Sequence, residues 1–227
     1  MDYYLISYGL MALSLLITLG AQGYINSSYK KYKNVKNRKG ISGFEAARKI
    51  LDENGLKDMH IVETDGFLSD HYDPTRKVVR LSKDIFHGES IAAVSVAAHE
   101  CGHAVQHKTG YALMKIRSTL VPFVNFCSYA GYIAIMIGIF SGLLDIIWFG
   151  IALEMVILAF QLVTLPVEID ASRRGLKSIE EYSLLEDKEH SQAKTMLTAA
   201  ALTYVASVAT TVIEIVRLIL IFGRRND

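Results

Sequence analysis

The sequence predicts a mainly α-helical membrane protein, with about four transmembrane helices and a small α+β domain on the cytoplasmic side. The first observation is a set of long apolar runs that are almost free of charge, at residues 4–23, 118–142, 143–166 and 196–222. Each run approaches or exceeds the length of roughly 20 residues that a helix needs to cross the hydrocarbon layer. The second observation is the segment AAHECGHAVQH at residues 97–107, which places two histidines four apart in an alanine-rich helical pattern.

The composition favours membrane spans over the two other interpretations of these runs. The 227 residues are 51% hydrophobic and carry a net charge of +1, and no nucleic-acid partner is expected. A chain of this length has too little other protein to surround four buried core helices, so the lipid bilayer is the expected surrounding. The first run begins MDYYLIS without a basic n-region, which favours a retained anchor over a cleaved signal peptide.

Breaks in the apolar pattern predict five segments. Ser141-Gly142 and Asp145 interrupt the second and third runs, which together therefore predict a transmembrane hairpin. Cys101 and Cys127 suggest no disulfide framework, as expected of a cytoplasmic domain. The segments are a transmembrane anchor at 1–24, a cytoplasmic domain at 25–117, the hairpin at 118–166, a second cytoplasmic segment at 167–195, and a transmembrane helix with a tail at 196–227.

The distribution of basic residues predicts the orientation in a cell membrane that the chain crosses several times. KKYKNVKNRK, at residues 30–39, carries six lysines and arginines, whereas Met1 to Tyr3 carries none. This excess places the two internal polar segments on the cytoplasmic side and the amino terminus outside. A fourth crossing would place Arg224 and Arg225 outside, against the positive-inside rule. The sequence therefore leaves open whether the last run spans fully and where the carboxy terminus lies.

The first part of the cytoplasmic domain shows a helix signal and two strand signals. Ser42 and Glu45 have the spacing of a capping box, and Gly55 is a helix stop. MHIVET at 59–64 and KVVRLS at 77–82 are short, β-branched stretches, and they predict two strands.

The remaining elements follow from breakers and helix formers. Gly66 and Asp73-Pro74 predict a loop or turn between the strands. The alanine-rich run from about Ser90 to His107 predicts a helix that Gly110 ends. The third membrane helix is predicted to end near Pro166, with a polar helical segment after it.

The HECGH segment has the geometry of half a zinc site. His99 and His103 lie one turn apart on one face of a helix, and two imidazoles at this spacing converge on a tetrahedral zinc ion. Glu100 points about 100° around the helix from His99, where it can reach a zinc-activated water and act as its general base without binding the metal. Gly102 costs about 1 kcal/mol relative to alanine inside a helix, which suggests close packing against another element.

Helix geometry excludes two neighbouring side chains from the same ion. His107 lies two turns, or about 12 Å, beyond His99, which is too far when zinc–nitrogen bonds are about 2.1 Å. Cys101 points about 200° away from His99. His71, within the polar cluster SDHYDP, is a site-adjacent candidate, and its alternative is an ordinary turn residue.

Glu168 is the candidate for a third ligand, in LPVEIDASRRG at the end of the third run. A glutamate from a second helix that faces the HExxH helix is the gluzincin arrangement of two histidines and one glutamate. From the residues alone, a second interpretation of Glu168 is equally good: a solvated carboxylate paired with Arg173 or Arg174. Those arginines are themselves candidates for stabilising an oxyanion or holding Glu168, with ordinary positive-inside charges as the alternative.

Three blocks of the sequence together resemble the YugP-like membrane zinc metallopeptidases of bacteria: AAHECGHAVQH, LSDHYDPTRKVVRLS and LPVEIDASRRG. That group is distantly similar to the HtpX and CAAX prenyl-protease zincins, in which a glutamate in an E-x-x-A-D motif completes HExxH. The resemblance implies a zincin-like domain in the bacterial inner membrane, with His99, His103 and Glu168 as ligands and Glu100 as base. Ser172 stands where those relatives have aspartate, and KVVRLS takes the place of the edge strand that binds extended peptide.

Two functions follow as hypotheses. The first is an integral-membrane endopeptidase that holds one Zn²⁺ ion and cleaves membrane or membrane-proximal proteins at the cytoplasmic face. The second is a non-catalytic, zinc-binding membrane scaffold or adaptor that keeps the zincin fold. Glu100 favours catalysis, because a structural zinc site needs no base. The sequence does not identify the substrate. It also leaves open whether the protein forms a homo-oligomer or binds an adaptor partner.

Overall fold

The computed structural model describes residues 2–66 and 69–223, so Met1, Arg224 and Arg225, used in the topology prediction, lie outside the described residues. The described chain is mostly helical and has a small sheet. Its elements are α1 (Asp2–Lys33), α2 (Gly43–Glu53), β1 (His60–Thr64), β2 (His71–Asp73), β3 (Val78–Ser82), α3 (Lys83–Phe86), α4 (Ile91–Lys108), α5 (Ala112–Ser141), α6 (Leu144–Glu181) and α7 (Asp187–Phe222).

Within the described residues, four helices are long and apolar enough to cross a membrane, as predicted: α1, α5, α6 and α7. Large apolar side chains on these helices are exposed, including Leu5, Tyr129 and Phe140 at 74%, 75% and 83%. Apolar surface of this extent is expected where a helix contacts lipid rather than water.

The chain forms two compact units, named here the apolar unit and the sheet unit. The apolar unit contains Met1–Gln22, Ile116–Leu165 and Thr203–Asp227, and the sheet unit contains Gly23–Lys115 and Pro166–Leu202. The division of the chain into a cytoplasmic domain and membrane segments stays a prediction.

The apolar unit has a small core of its own and several polar side-chain contacts, among them one between α6 and α7 and one ion pair within α7. Its core includes Ile147, Ile151 and Leu218, and Gln161 on α6 donates from Nε2 to Ser207 Oγ on α7 at 3.0 Å. In the ion pair on α7, Arg217 Nε donates to Glu214 Oε2 at 2.8 Å. Both contacts give a partner to polar groups whose exposure to hydrocarbon without one would cost free energy.

The helix break predicted near Pro166 is absent, whereas the end of the membrane span near this residue stays a prediction. Helix α6 continues through Pro166 to Glu181 without a break. Proline removes one backbone donor and bends a helix, but the helix continues where tertiary packing holds the following turns. Those turns pack closely against α4, as described below. The segment after Pro166 is therefore the same helix that begins in the apolar unit.

The sheet has the order β1-β3-β2, in which β1 pairs with β3 in parallel and β2 pairs with β3 antiparallel. KVVRLS, which contains β3, is therefore the central strand, and its interpretation as an edge strand is wrong. The physical reason is β2, whose residues His71–Asp73 pair with Val78–Arg80 where the sequence predicted a loop or turn. The strands predicted at 59–64 and 77–82 are confirmed as β1 and β3.

Helices α2 and α4 pack with the sheet around one hydrophobic core. The capping box predicted at the start of α2 is present, since Ser42 accepts from the Glu45 backbone and the Glu45 carboxylate accepts from the Ser42 backbone. Helix α4 begins after Ser90, whose hydroxyl accepts from the Ala93 backbone N–H at 3.1 Å. Small side chains along α4 let its neighbours approach closely, and most of the helix is buried.

Candidate metal centre

Helix α4 presents both histidines of the HECGH segment on one face. The rings of His99 and His103 lie edge to face, with centroids 4.8 Å apart. This arrangement follows from the i, i+4 spacing, because residues four apart are neighbours on the surface of a helix. Both rings turn their Nε2 atoms toward Glu168, which comes from α6.

Two glycines bring α4 and α6 into backbone contact. A β-carbon at position 102 would overlap the carbonyl oxygen of Ala171 and lie 3.0 Å from its carbonyl carbon. On α6, a β-carbon at Gly175 would lie 2.9 Å from the carbonyl oxygen of Ala98 and 3.1 Å from the backbone nitrogen of His99. The prediction that Gly102 marks close packing is confirmed. Because the two backbones touch, side chains of α6 can reach the two histidines.

The three side chains converge on one point. Glu168 Oε2 lies 3.3 Å from His99 Nε2 and 3.5 Å from His103 Nε2, and Glu168 is only 2% exposed. One donor atom from each residue lies within 4.8 Å of the others. In a tetrahedral zinc site with bonds of about 2.1 Å, neighbouring ligand atoms are about 3.4 Å apart. The two imidazoles and the carboxylate therefore fit a zinc ion in both chemistry and spacing.

The second nitrogen of each histidine also contacts a polar side chain. Ser172, which stands where the more distant relatives have aspartate, has its Oγ atom 3.1 Å from Nδ1 of His99. Gln106 Oε1 accepts from Nδ1 of His103 at 3.0 Å. Contacts of this kind set the ring orientation of metal-binding histidines.

Glu100 lies beside this cluster and is held by the sheet. Its Oε2 atom accepts from the backbone N–H of Tyr72 on β2 at 2.8 Å. Burial raises the pKa of Glu100, and the nearby carboxylate of Glu168 raises it further, whereas His99 lowers it. A carboxyl with a raised pKa binds a proton more readily, which suits a group that accepts and then releases one.

The other predicted site residues lie around the cluster rather than in it. His71 is exposed, and its Nδ1 atom is 2.7 Å from the carbonyl oxygen of Ser69. Arg174 donates from Nε to Asp170 Oδ2 at 2.6 Å, and the Arg173 side chain is exposed. A site-adjacent role for His71 stays a prediction, as does a role for Arg173 or Arg174 in stabilising an oxyanion or holding Glu168.

The two side chains that helix geometry excluded have other contacts. Nδ1 of His107 lies 2.7 Å from the hydroxyl of Tyr72. The Cys101 thiol is buried and directed at the carbonyl oxygen of Ala47 at 3.7 Å, and burial raises its pKa. Cys101 is therefore a packing residue of the α2–α4 interface.

Three contributors to the centre were not predicted from the sequence: Gln106, Gly175 and the backbone N–H of Tyr72. A signal existed for Gln106, which is three residues beyond His103 and seven beyond His99, on the same face of α4. Gly175 follows Ala171 by four residues, as Gly102 follows Ala98, and small residues at this spacing on two helices indicate close approach. The Tyr72 contact has no sequence signal, because it depends on where β2 lies.

The chain is similar to known proteins along most of its length. The chain matches the profile of the family described as "Putative neutral zinc metallopeptidase" over residues 7–223. It is 41% identical over 214 residues to a Bacillus subtilis (strain 168) protein described as "Putative membrane protease YugP", with 94% of this chain and 95% of that protein covered. No solved structure matches the chain. The extent of the family match and of this identity shows that the chain belongs to the family described as "Putative neutral zinc metallopeptidase".

Proposed function

We propose that the protein is an integral-membrane zinc endopeptidase that cleaves membrane or membrane-proximal proteins at the cytoplasmic face. The observation that carries the proposal is the convergence of His99 and His103 Nε2 on Glu168 Oε2, at 3.3 and 3.5 Å, in a buried position. The Bacillus subtilis relative is described as "Putative membrane protease YugP", which supports a protease function at a membrane.

His99, His103 and Glu168 would hold one zinc ion. When bound there, zinc supplies a Lewis acid that polarises the peptide carbonyl and lowers the pKa of water toward 7. The carboxylate of Glu168 offsets part of the charge of the ion, and its burial keeps bulk water from competing for the ligands. Ser172 and Gln106 keep the two imidazoles turned toward Glu168.

Glu100 is the proposed general base. It follows His99 directly in the chain, so its carboxylate lies beside the proposed ligands without joining them. In the proposed reaction, Glu100 accepts a proton from the attacking water and delivers it to the nitrogen of the leaving amine. The Tyr72 N–H holds one oxygen of Glu100 and leaves the other for this transfer.

Strand β2 is the proposed docking edge for an extended substrate. It is an edge of the sheet, and the N–H of its central residue, Tyr72, points to Glu100 rather than to β3. A peptide laid along this edge would pass close to the general base.

The cytoplasmic location is proposed from charge. Residues 30–39 carry six basic side chains directly after the first apolar run, and the segment 167–195 carries five more. Both belong to the sheet unit, so the positive-inside rule favours a cytoplasmic position for that whole unit.

The test is proteolysis by the purified full-length protein, with unfolded casein and detergent-solubilised membrane proteins as substrates. We expect about one zinc per chain, and at least a 100-fold loss of cleavage in Glu100→Gln, the lower limit being the rate that general base catalysis typically contributes. Glu180→Gln makes the same chemical change at an exposed position on α6 and should cleave normally. Equal cleavage by the unaltered protein and Glu100→Gln would favour the scaffold or adaptor function.

A further inference from the structure

Gln106 joins α4 to α6 directly behind the proposed metal centre. Its side chain is completely buried, at 0% exposure, three residues after His103. The amide nitrogen donates to the carbonyl oxygen of Val167 at 2.8 Å and to Asp170 Oδ2 at 2.9 Å. The amide oxygen faces Nδ1 of His103 at 3.0 Å. Gln106 thus contacts both the histidine and the helix that carries Glu168.

The partners on α6 fix which end of the amide faces the histidine. A backbone carbonyl can accept a hydrogen bond but never donate one, so the atom of Gln106 that contacts Val167 must be the NH₂ group. Asp170 also acts as an acceptor, because Arg174 Nε donates to the same Oδ2 atom at 2.6 Å. A flipped amide would place an oxygen against two acceptors. The orientation of Gln106 therefore follows from chemistry and not from a choice between similar atoms.

The orientation of the Gln106 amide in turn fixes the tautomer of His103. The Gln106 oxygen is an acceptor, so Nδ1 of His103 must carry the proton. A neutral imidazole has one protonated nitrogen, which leaves the lone pair on Nε2. That atom faces Glu168 Oε2 at 3.5 Å. A carbonyl on α6 thus determines, through Gln106, that His103 offers Nε2 as its ligand atom.

His99 has no equivalent constraint. Its Nδ1 atom contacts the hydroxyl of Ser172, and a hydroxyl can donate or accept with equal ease. Ser172 therefore accommodates either tautomer of His99. The two proposed ligands differ in this respect, although they come from one motif.

We propose that Gln106 is a positioning residue that locks His103 in the tautomer able to bind metal through Nε2. The proposal rests on the zinc centre of the proposed function and adds a residue to it. Loss of a contact of this kind typically weakens metal binding 10- to 100-fold. Gln106→Met keeps the length of the side chain and removes every hydrogen bond. Gln106→Glu keeps an acceptor for His103 Nδ1 and gives up the amide donors to Val167 and Asp170.

The experiment is a zinc titration of the full-length protein in detergent, against a chromophoric chelator, for both variants. Gln192→Met, the same change elsewhere in the sheet unit, is the matched control. Thermal unfolding of each metal-free protein separates a folding defect from a weaker metal site. If Gln106→Met unfolds, Gln106→Leu takes its place, and Gln106→Glu stays as the variant that keeps an acceptor.

We expect zinc affinity to fall 10- to 100-fold in Gln106→Met, to fall clearly less in Gln106→Glu, and to be unchanged in Gln192→Met. Unchanged affinity in Gln106→Met would overturn the proposal. Equal or greater loss in Gln106→Glu would also overturn it, because the contacts to α6 would then be what matters. A protein that binds zinc but cleaves nothing would contradict the proposed function alone, while one that binds no zinc would contradict both.

Discussion

Gly102 on α4 lies against Ala171 on α6 so closely that a β-carbon at position 102 would overlap the Ala171 carbonyl oxygen. This contact lies one turn from Glu168 along α6 and one residue from His103 along α4. The separation of the two helices therefore sets the distance between the histidines and the carboxylate. An ordinary helix residue at position 102 would move the proposed ligands apart.

Gly102→Ala is expected to weaken zinc binding by about tenfold or more, by analogy with the loss of residues that orient ligands. Alanine favours the helix by about 1 kcal/mol, but overpacking costs about 1–3 kcal/mol, so thermal stability should stay the same or fall slightly. Zinc affinity and thermal unfolding measure the two effects. Gly23→Ala is the matched control, because an added β-carbon there meets no atom within 4 Å. Normal zinc affinity in Gly102→Ala would show that the helix separation is not critical.

Glu168→Ala and His107→Ala are expected to differ sharply in zinc binding. Removal of Glu168 takes one of three ligands from the centre, and zinc affinity should fall by more than the roughly 100-fold that an outer contact contributes. His107 contacts the hydroxyl of Tyr72 rather than the proposed zinc ligands, so His107→Ala should keep one zinc per chain. Metal analysis after dialysis against a weak chelator makes the comparison. Full zinc occupancy in Glu168→Ala would contradict the assignment of the third ligand.

Asp70 is expected to give the sheet unit a stability that depends on pH. Burial raises the pKa of Asp70 above its usual value, although Ser82 donates from its backbone N–H at 2.7 Å and opposes the shift. A carboxyl whose folded pKa is raised stabilises the fold fully below its unfolded pKa, and this contribution is lost as pH rises through the folded pKa.

Asp70→Asn removes this titration and keeps an acceptor for Ser82. Its Tm relative to the unaltered protein should therefore rise between pH 4 and pH 7, by a few degrees at most for about 1 kcal/mol. Thermal unfolding at intervals across that range provides the measurement. A constant difference in Tm would show that Asp70 does not contribute to the pH dependence.

Cysteine labelling of intact cells should report opposite sides for Ser141→Cys and Lys188→Cys. Ser141 ends α5, and Lys188 lies near the start of α7, with both positions exposed. The orientation proposed from charge places residue 188 inside and residue 141 outside. An impermeant maleimide should therefore react with Cys at 141 alone. Cys101 and Cys127 are buried and provide a low background. Labelling at 188 in intact cells would reverse the orientation.

Local patterns explain the parts of this protein that were predicted correctly. The capping box of Ser42 and Glu45, the helix from Ser90 and the strands β1 and β3 depend on neighbours within a few residues. The four candidate spans follow from the same kind of local information, because length and hydropathy alone decide whether a helix can cross a bilayer.

The sequence by itself determined the HECGH face of α4, since the 3.6-residue period places His99 and His103 together whatever surrounds them. Only the tertiary structure decided what completes that face. The approach of Glu168 and the contacts of Gln106 with α6 depend on residues far apart in the chain. Such contacts form where α4 and α6 pack, and the packing of two helices depends on side chains from both, which no local pattern contains.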